Sequence, residues 1–412
     1  MERKHWIDNL RWVTVLLVLF YHVIYFYNAK GVFGGIGGFY EVQPWDTIMS
    51  LLYPWFMMLL FLVAGIGSRY ALGSAALRQA QGPDSSQGLR APEPVEGPAS
   101  NGLSHKEFIR SRTRKLLVPD TIGLFVFQWM TGYFNTQVTA YVTGVNPFAG
   151  VPDSVPAGVQ NVIKYFAYSL SGIGPLWFIQ DLWLFSLLLV LIRVVERDWL
   201  YRKAGDFFQQ KSVASAVVII LGGFLLVWAG AQCSISHPRP ESADGLWNLY
   251  RPLAYFVPFL LGYFVFSHDA VIDRLAKSHL TLMFVAIAVG AAFASTMYGQ
   301  NDTDPIVLKS WNCNAFAWLA ILAMLGCFKA WANKTNRFAT YMTRNSYGVY
   351  ILHYLVIAAF GYMMKVHTSI APWMQYVILF VAVMTIPFAL NEIIKRIPFI
   401  RWCVLGIKKK KP

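Results

Sequence analysis

The chain has 412 residues, of which 56% are hydrophobic, 16% aromatic and only 14% charged, a composition that excludes a water-soluble globule and marks an integral membrane protein. The net charge of +14 would suggest nucleic acid in a soluble protein. Here it reads as topology, because Lys and Arg collect on cytoplasmic loops, and no nucleic-acid partner is expected. Four cysteines without CxxC spacing argue against a zinc module or a disulfide scaffold, so no metal is predicted.

Apolar runs predict an all-α polytopic helical bundle, a single transmembrane domain over 1–412. About ten spans are expected, near 10–28, 47–66, 117–133, 175–195, 213–231, 252–267, 280–298, 312–331, 346–364 and 373–392. The third and sixth are short or polar enough to tilt or re-enter. The first has no small-residue cleavage site and reads as a retained span. No internal repeat points to a duplicated transporter fold. With a cytoplasmic N-terminus, the great majority of the 35 Lys and Arg fall inside. Both termini are then cytoplasmic, with Lys408 to Lys411 against anionic headgroups of membrane lipid. Cys233 and Cys313 are expected to face outward and Cys403 inward.

The first span carries Arg11 at its mouth and His22 within it. Ionisable groups are costly in lipid and count there as candidate functional groups. Eleven residues is about three turns, so both lie on one helix face, roughly 16 Å apart along the axis. Asp8 precedes Arg11 by one turn, in position to pair with it.

Residues from about 71 to 104 include RQAQGPDSSQGLRAPEPVEGPASNG, poor in large apolar residues, and read as a disordered cytoplasmic loop. The basic run HKEFIRSRTRKLLVP follows. Any one of Arg110, Arg112, Arg114 and Lys115 is explained as a topological anchor, but together with Arg11 they make a cationic rim fit for a phosphorylated ligand. SGIGPLWFIQDLW opens the fourth span and buries Asp181, either as a structural partner of Gln180 or Arg251 or with a role on the acceptor side. NSYGVYILHY opens the ninth with an N-cap-like Asn345-Ser346 and brings His353 to the level of His22, either as a hydrogen-bonded structural histidine, the blander reading, or with a role on the acceptor side. Asn391 and Glu392 are expected near the surface, solvated.

These stretches, Asp8-Asn9-Leu10-Arg11 with His22, FIRSRTRKLLVP, GPLWFIQDLW and NSYGVYILHY, occur together and in order between Asp8 and His353. In this the chain resembles the membrane-bound acyltransferase 3 family. The resemblance implies ten or so helices in the plasma or inner membrane of a bacterial cell. It also implies a cytoplasmic acyl-CoA donor, typically acetyl-CoA, and O-acylation of a carbohydrate or other envelope acceptor beyond the membrane. An Arg-x10-His pattern maps onto Arg11 and His22, and an Arg-x-Arg pattern onto Arg112 and Arg114, with Arg110 and Arg112 equally spaced. The chain departs from the pattern in its long second loop and in Ala64, where relatives often carry serine. Some relatives add an extracytoplasmic esterase-like domain; here a separate polypeptide is expected to supply any such transfer activity.

The depths of these groups suggest that the arginines hold the donor phosphates while the pantetheine arm carries the thioester towards His22. That imidazole suits either general-base catalysis or an acyl-imidazole relay. Tyr21 or Tyr25 would orient the ring or stabilise an oxyanion, unless they only pack. The competing class is a proton-coupled transporter or flippase, which buried His, Arg and Asp would also suit.

Overall fold

The computed structural model of the protein describes residues 4–28, 43–80, 102–152, 154–210, 213–235, 250–297 and 304–408, with 43–46 and 74–80 as backbone only. No strand occurs among them. In chain order the helices are α1 (His5–Asn28), α2 (Gln43–Ala80), α3 (105–143), α4 (Ala157–Ser171), α5 (Trp177–Glu196), α6 (Trp199–Gln209), α7 (213–234) and α8 (Pro252–Phe264). There follow α9 (Asp269–Lys277), α10 (His279–Met297), α11 (Pro305–Lys309), α12 (Trp311–Trp331), α13 (Arg337–His367), α14 (Pro372–Arg396) and α15 (Pro398–Leu405).

Among the described residues, 8 helices are long and apolar enough to cross a membrane, and they coincide with eight of the expected spans. The protein is therefore an all-α, multi-pass membrane bundle. The sixth expected span is α8, which is only 13 residues long and continues into α9 through a bend of 101°. The third falls inside α3, a continuous helical run interrupted by π-helical turns at Thr113–Leu117 and Leu124–Gln128, and is not among the eight apolar helices.

Two boundaries differ from expectation. Residues 71–80, assigned to the loop, continue α2 because ALGSAALRQA is rich in strong helix formers; residues 81–101 lie outside the described residues. The next helix opens on a capping box, in which Ser104 and Glu107 satisfy each other's backbone N–H. The ninth span begins a full two turns before Asn345, at an N-cap where the Asn336 side chain accepts from the Ala339 N–H at 2.7 Å. Asn345 is thus inside the helix and buried. Asn391, expected to be solvated, is also buried and donates to Asn345 Oδ1 at 2.6 Å, because α13 and α14 pack face to face there.

Lipid offers helices no hydrophobic incentive to associate, so close packing through small residues does much of that work. At the contact of α2 with α8, a Cβ added to Gly65 would stand 2.0 Å from the Phe259 carbonyl oxygen, and one added to Gly262 would stand 2.0 Å from that of Leu62. One turn away, Phe61 sits among the rings of Phe178, Phe185 and Tyr255. The outer faces carry exposed Leu191, Val195, Phe284, Ile287 and Trp373, as lipid-facing surfaces do.

Both ends of the described chain lie at one end of the bundle. Lys4 pairs with Asp269, and Arg11 and Lys408 line one cavity.

Two outcomes are expected. Gly65→Ala should destabilise the detergent-solubilised protein by about 1–3 kcal/mol in thermal unfolding, since backbone rather than a mobile side chain blocks the new methyl. Cys313 is buried at 2% exposure, so the condition of accessibility fails for it, whereas Cys233 is exposed. With the N-terminus cytoplasmic, an impermeant thiol reagent on intact cells should label Cys233, leaving Cys313 and Cys403 unmodified until the fold is opened. Labelling of Cys403 from outside would reverse the orientation.

Candidate active site

At the end of the bundle that holds Arg11, a cavity of about 480 Å³ opens between α1, α2, α3, α5, α13, α14 and the segment after α15. Arg11, Arg112, Arg114 and Lys115 line it, as their residue types suggested. Arg110 does not: it is exposed and points elsewhere. Of the two equally spaced Arg-x-Arg pairs, the one that faces the cavity is Arg112 with Arg114.

The local backbone explains how it can. Residues two apart in an α-helix face different sides. From Thr113 to Leu117 the helix departs from α geometry into a π-type turn with i→i+5 bonding, and from this irregular stretch the long side chains of Arg112, Arg114 and Lys115 all reach one cavity. Arg112 donates to Ser68 Oγ at 2.9 Å, and its guanidinium lies 5.1 Å from the Phe108 ring centre. Arg114 Nε donates to the Gly406 carbonyl at 3.2 Å. Gly406 has φ +63°, and a Cβ there would meet the Arg114 carbonyl oxygen at 2.5 Å, so only glycine lets the chain after α15 close this wall.

Arg344, Lys395 and Lys408 complete the cationic rim; sequence reasoning passed over the first two and set Lys408 against lipid headgroups. Their signal was present: Arg344 immediately precedes NSYG, and Lys395 stands in the last turn of α14. Each resembles an ordinary anchor until the helices are assembled. Among the described residues no Asp or Glu lines the cavity. The acids nearby pair from outside the lining, Asp8 with Arg11 at 3.7 Å and Glu392 with Lys395 at 3.2 Å. Such a cavity selects an anion, and its arginines suit phosphate oxygens.

Away from the rim the lining turns apolar, with Val15, Leu60, Ala64, Phe178, Leu182 and Tyr350. The GIGPLW stretch fixes this floor. Tyr350 donates its hydroxyl hydrogen to the Pro175 carbonyl at 2.9 Å, and its ring lies 5.5 Å from that of Phe178. Gly174, at φ +40°, presses on Tyr354, whose ring a Cβ would approach to 2.7 Å.

Beyond Tyr350 lie His22 and His353, which the structure brings together. His353 Nε2 is 3.3 Å from His22 Nδ1, and the Tyr350 and His353 ring centres are 5.7 Å apart. His22 Nδ1 faces the Val18 carbonyl at 2.9 Å, and His353 Nδ1 faces the Tyr350 carbonyl at 2.6 Å. A carbonyl only accepts, so heavy-atom geometry assigns the hydrogen to Nδ1 in both rings. Each Nε2 then carries the lone pair. That of His353 points at His22, and that of His22 remains available for chemistry. Tyr21 and Tyr354 pack edge-on against His22, with ring centres 5.3 and 5.2 Å away.

Asp181 is buried but does not line the cavity. Its Oδ2 has no hydrogen-bond partner, while Gln180, its expected companion, donates instead to Asp120 Oδ1 at 2.6 Å. Arg251 stands over the Tyr53 ring, 5.2 Å from its centre. Among the described residues no cluster of His, Cys, Asp or Glu could hold a metal ion.

Neither the curated proteins nor the solved structures include a match to this chain. A family model, described as an acyltransferase domain, matches residues 4–392. That match takes in α1, the basic turn of α3, the GIGPLW floor and the histidine of α13 in one stretch, and the chain belongs to the acyltransferase 3 family of membrane acyltransferases.

Proposed function

We propose that the protein moves an acyl group, acetyl in the simplest case, from cytoplasmic acyl-CoA to a hydroxyl of an extracytoplasmic carbohydrate in a bacterial cell envelope. The observation that carries this reading is the polarity of one cavity: cations without carboxylates at its mouth, apolar side chains at its floor, and two imidazoles just past that floor. A donor with nucleotide phosphates at one end and a thioester at the other, joined by a long neutral arm, has the same polarity. The roughly 16 Å between Arg11 and His22 along α1 suits the length of that arm.

In this reading Arg11, Arg112 and Arg114 bind phosphate, with Lys115, Arg344 and Lys395 adding charge around it. His22 Nε2 takes the proton of the acceptor hydroxyl as the oxygen attacks the thioester carbonyl. The carbon–sulfur bond then breaks. The leaving thiolate recovers the proton from Nε2, giving an ester and free coenzyme A. His22 ends in its starting tautomer. Asp181, away from this cavity, has no part in these steps.

The direct test supplies labelled acetyl-CoA to membranes containing the full chain and follows label into alkali-labile esters of envelope glycans. His22→Ala should lower turnover by about 10²–10⁴-fold while the protein remains inserted and folded. Wild-type turnover in that variant would remove His22 from the chemistry. Label retained covalently on the protein when acceptor is withheld would replace the general base with an acyl-imidazole relay.

The rim should act on binding. Arg112→Gln or Arg114→Gln forfeits a charge-assisted hydrogen bond worth roughly 1.5–3 kcal/mol, so KM for acetyl-CoA should rise by about tenfold to a hundredfold with kcat little changed. A donor truncated to its pantetheine portion should be much less affected. Equal losses for both donors would mean that these arginines do not read phosphate.

A further inference from the structure

Sequence reasoning leaves His353 as a structural histidine or one on the acceptor side, and nothing in the family match gives it a task. Its surroundings are more specific than packing requires. The ring is fully buried in α13, its Nδ1–H is taken by the Tyr350 carbonyl, and its only other polar atom, Nε2, is directed across the helix interface at His22 Nδ1. The carbonyl that it uses belongs to a residue that is itself fixed, since the Tyr350 hydroxyl is bound to Pro175 and the neighbouring Gly174 is wedged on Tyr354. An imidazole meant only to fill space would need none of this. Among the described residues no carboxylate contacts either ring; the titratable groups packed against the pair are the tyrosines 21, 350 and 354.

We propose that His353 is a positioning residue for His22: its Nε2 lone pair shares the His22 Nδ1–H with the Val18 carbonyl, fixing the tautomer and ring angle that expose His22 Nε2 to the reacting hydroxyl. The proposal rests on the reading of His22 as the base. When His22 accepts the acceptor's proton it becomes an imidazolium, whose Nδ1–H already has two acceptors in place, the Val18 carbonyl and His353 Nε2. The charge is held by groups already oriented, at a depth where water cannot reorganise around it. A buried carboxylate at this point would need its own neutralisation before the reaction began. A neutral imidazole supplies the acceptor without that cost. His353 neither gains nor loses a proton over the cycle.

The test compares wild type, His353→Leu and His353→Gln in membrane vesicles with labelled acetyl-CoA, with rates normalised to folded protein. His353→Leu should lower kcat by about a hundredfold and leave KM for acetyl-CoA unchanged, since the donor rim is untouched. His353→Gln, whose amide oxygen accepts a hydrogen bond, should recover about tenfold of that loss. In the double variant, His353→Leu added to His22→Ala should cost nothing further, because a group that acts only through His22 has no effect without it. Wild-type kcat in His353→Leu, a Gln variant no better than Leu, or additive losses in the double variant would each overturn the proposal. If the Leu variant does not fold, His353→Gln against His353→Asn takes its place: the shorter amide should not reach His22, and equal rates would count against positioning. Turnover that survives His22→Ala instead condemns the reading of His22, and so separates the two failures.

Discussion

Two backbone carbonyls, Val18 on α1 and Tyr350 on α13, decide the chemistry of the site. Each lies within a turn of a histidine on its own helix and takes that ring's Nδ1–H, at 2.9 and 2.6 Å. A buried imidazole with an unsatisfied nitrogen would be expensive in this setting. Once each helix has dealt with its own ring, the two remaining lone pairs are distributed by packing alone. Bringing α1 against α13 turns one lone pair onto the partner ring and leaves the other free. The Gly174–Pro175 turn matters for the same reason, because it sets where Tyr350 stands and therefore where its carbonyl points.

The opposite requirement governs the cavity mouth. Cations gathered without carboxylates in the lining repel one another, and they are tolerated because they sit at the bundle's end rather than in its middle. Acids outside the lining, Asp8 and Glu392, take part of the charge. Arg112 and Arg114 are held by neutral acceptors, the Ser68 hydroxyl and the Gly406 carbonyl. Neutral partners orient a guanidinium without cancelling its charge, which leaves the cavity attractive to an anion.

Much of the architecture was legible from the residues. Long apolar runs bounded by Lys and Arg located eight spans, because that pattern depends on each segment's own contact with lipid. The third and sixth were harder because α3 is polar and irregular and α8 is short and bent. The pairing of Asp8 with Arg11 and the common depth of His22 and His353 followed from helical rise alone. What helical rise cannot give is rotation of one helix against another. For that reason His353 read as a structural ring or an acceptor-side residue, Asn391 as a surface residue and Lys408 as a headgroup contact, while Arg344 and Lys395 went unread. The same gap left Arg110 with Arg112 as good a pair as Arg112 with Arg114, since a sequence does not announce a π turn.

That turn bears on how the chain's length can vary. An α-turn closes one residue sooner than a π-turn, so Thr113–Leu117 behaves as an α-helix carrying one surplus residue. Removing a single residue there would leave a continuous helix of nearly the same span. Everything upstream, however, would rotate by about 100° against everything downstream. Arg112, which grips Ser68 just before the turn, and Arg114, which grips Gly406 from within it, would lose that shared register. The spacing of this stretch is itself a functional group, and a deletion within it should disturb the arginine pair as thoroughly as mutating it, while also turning buried Phe108 out of its packing.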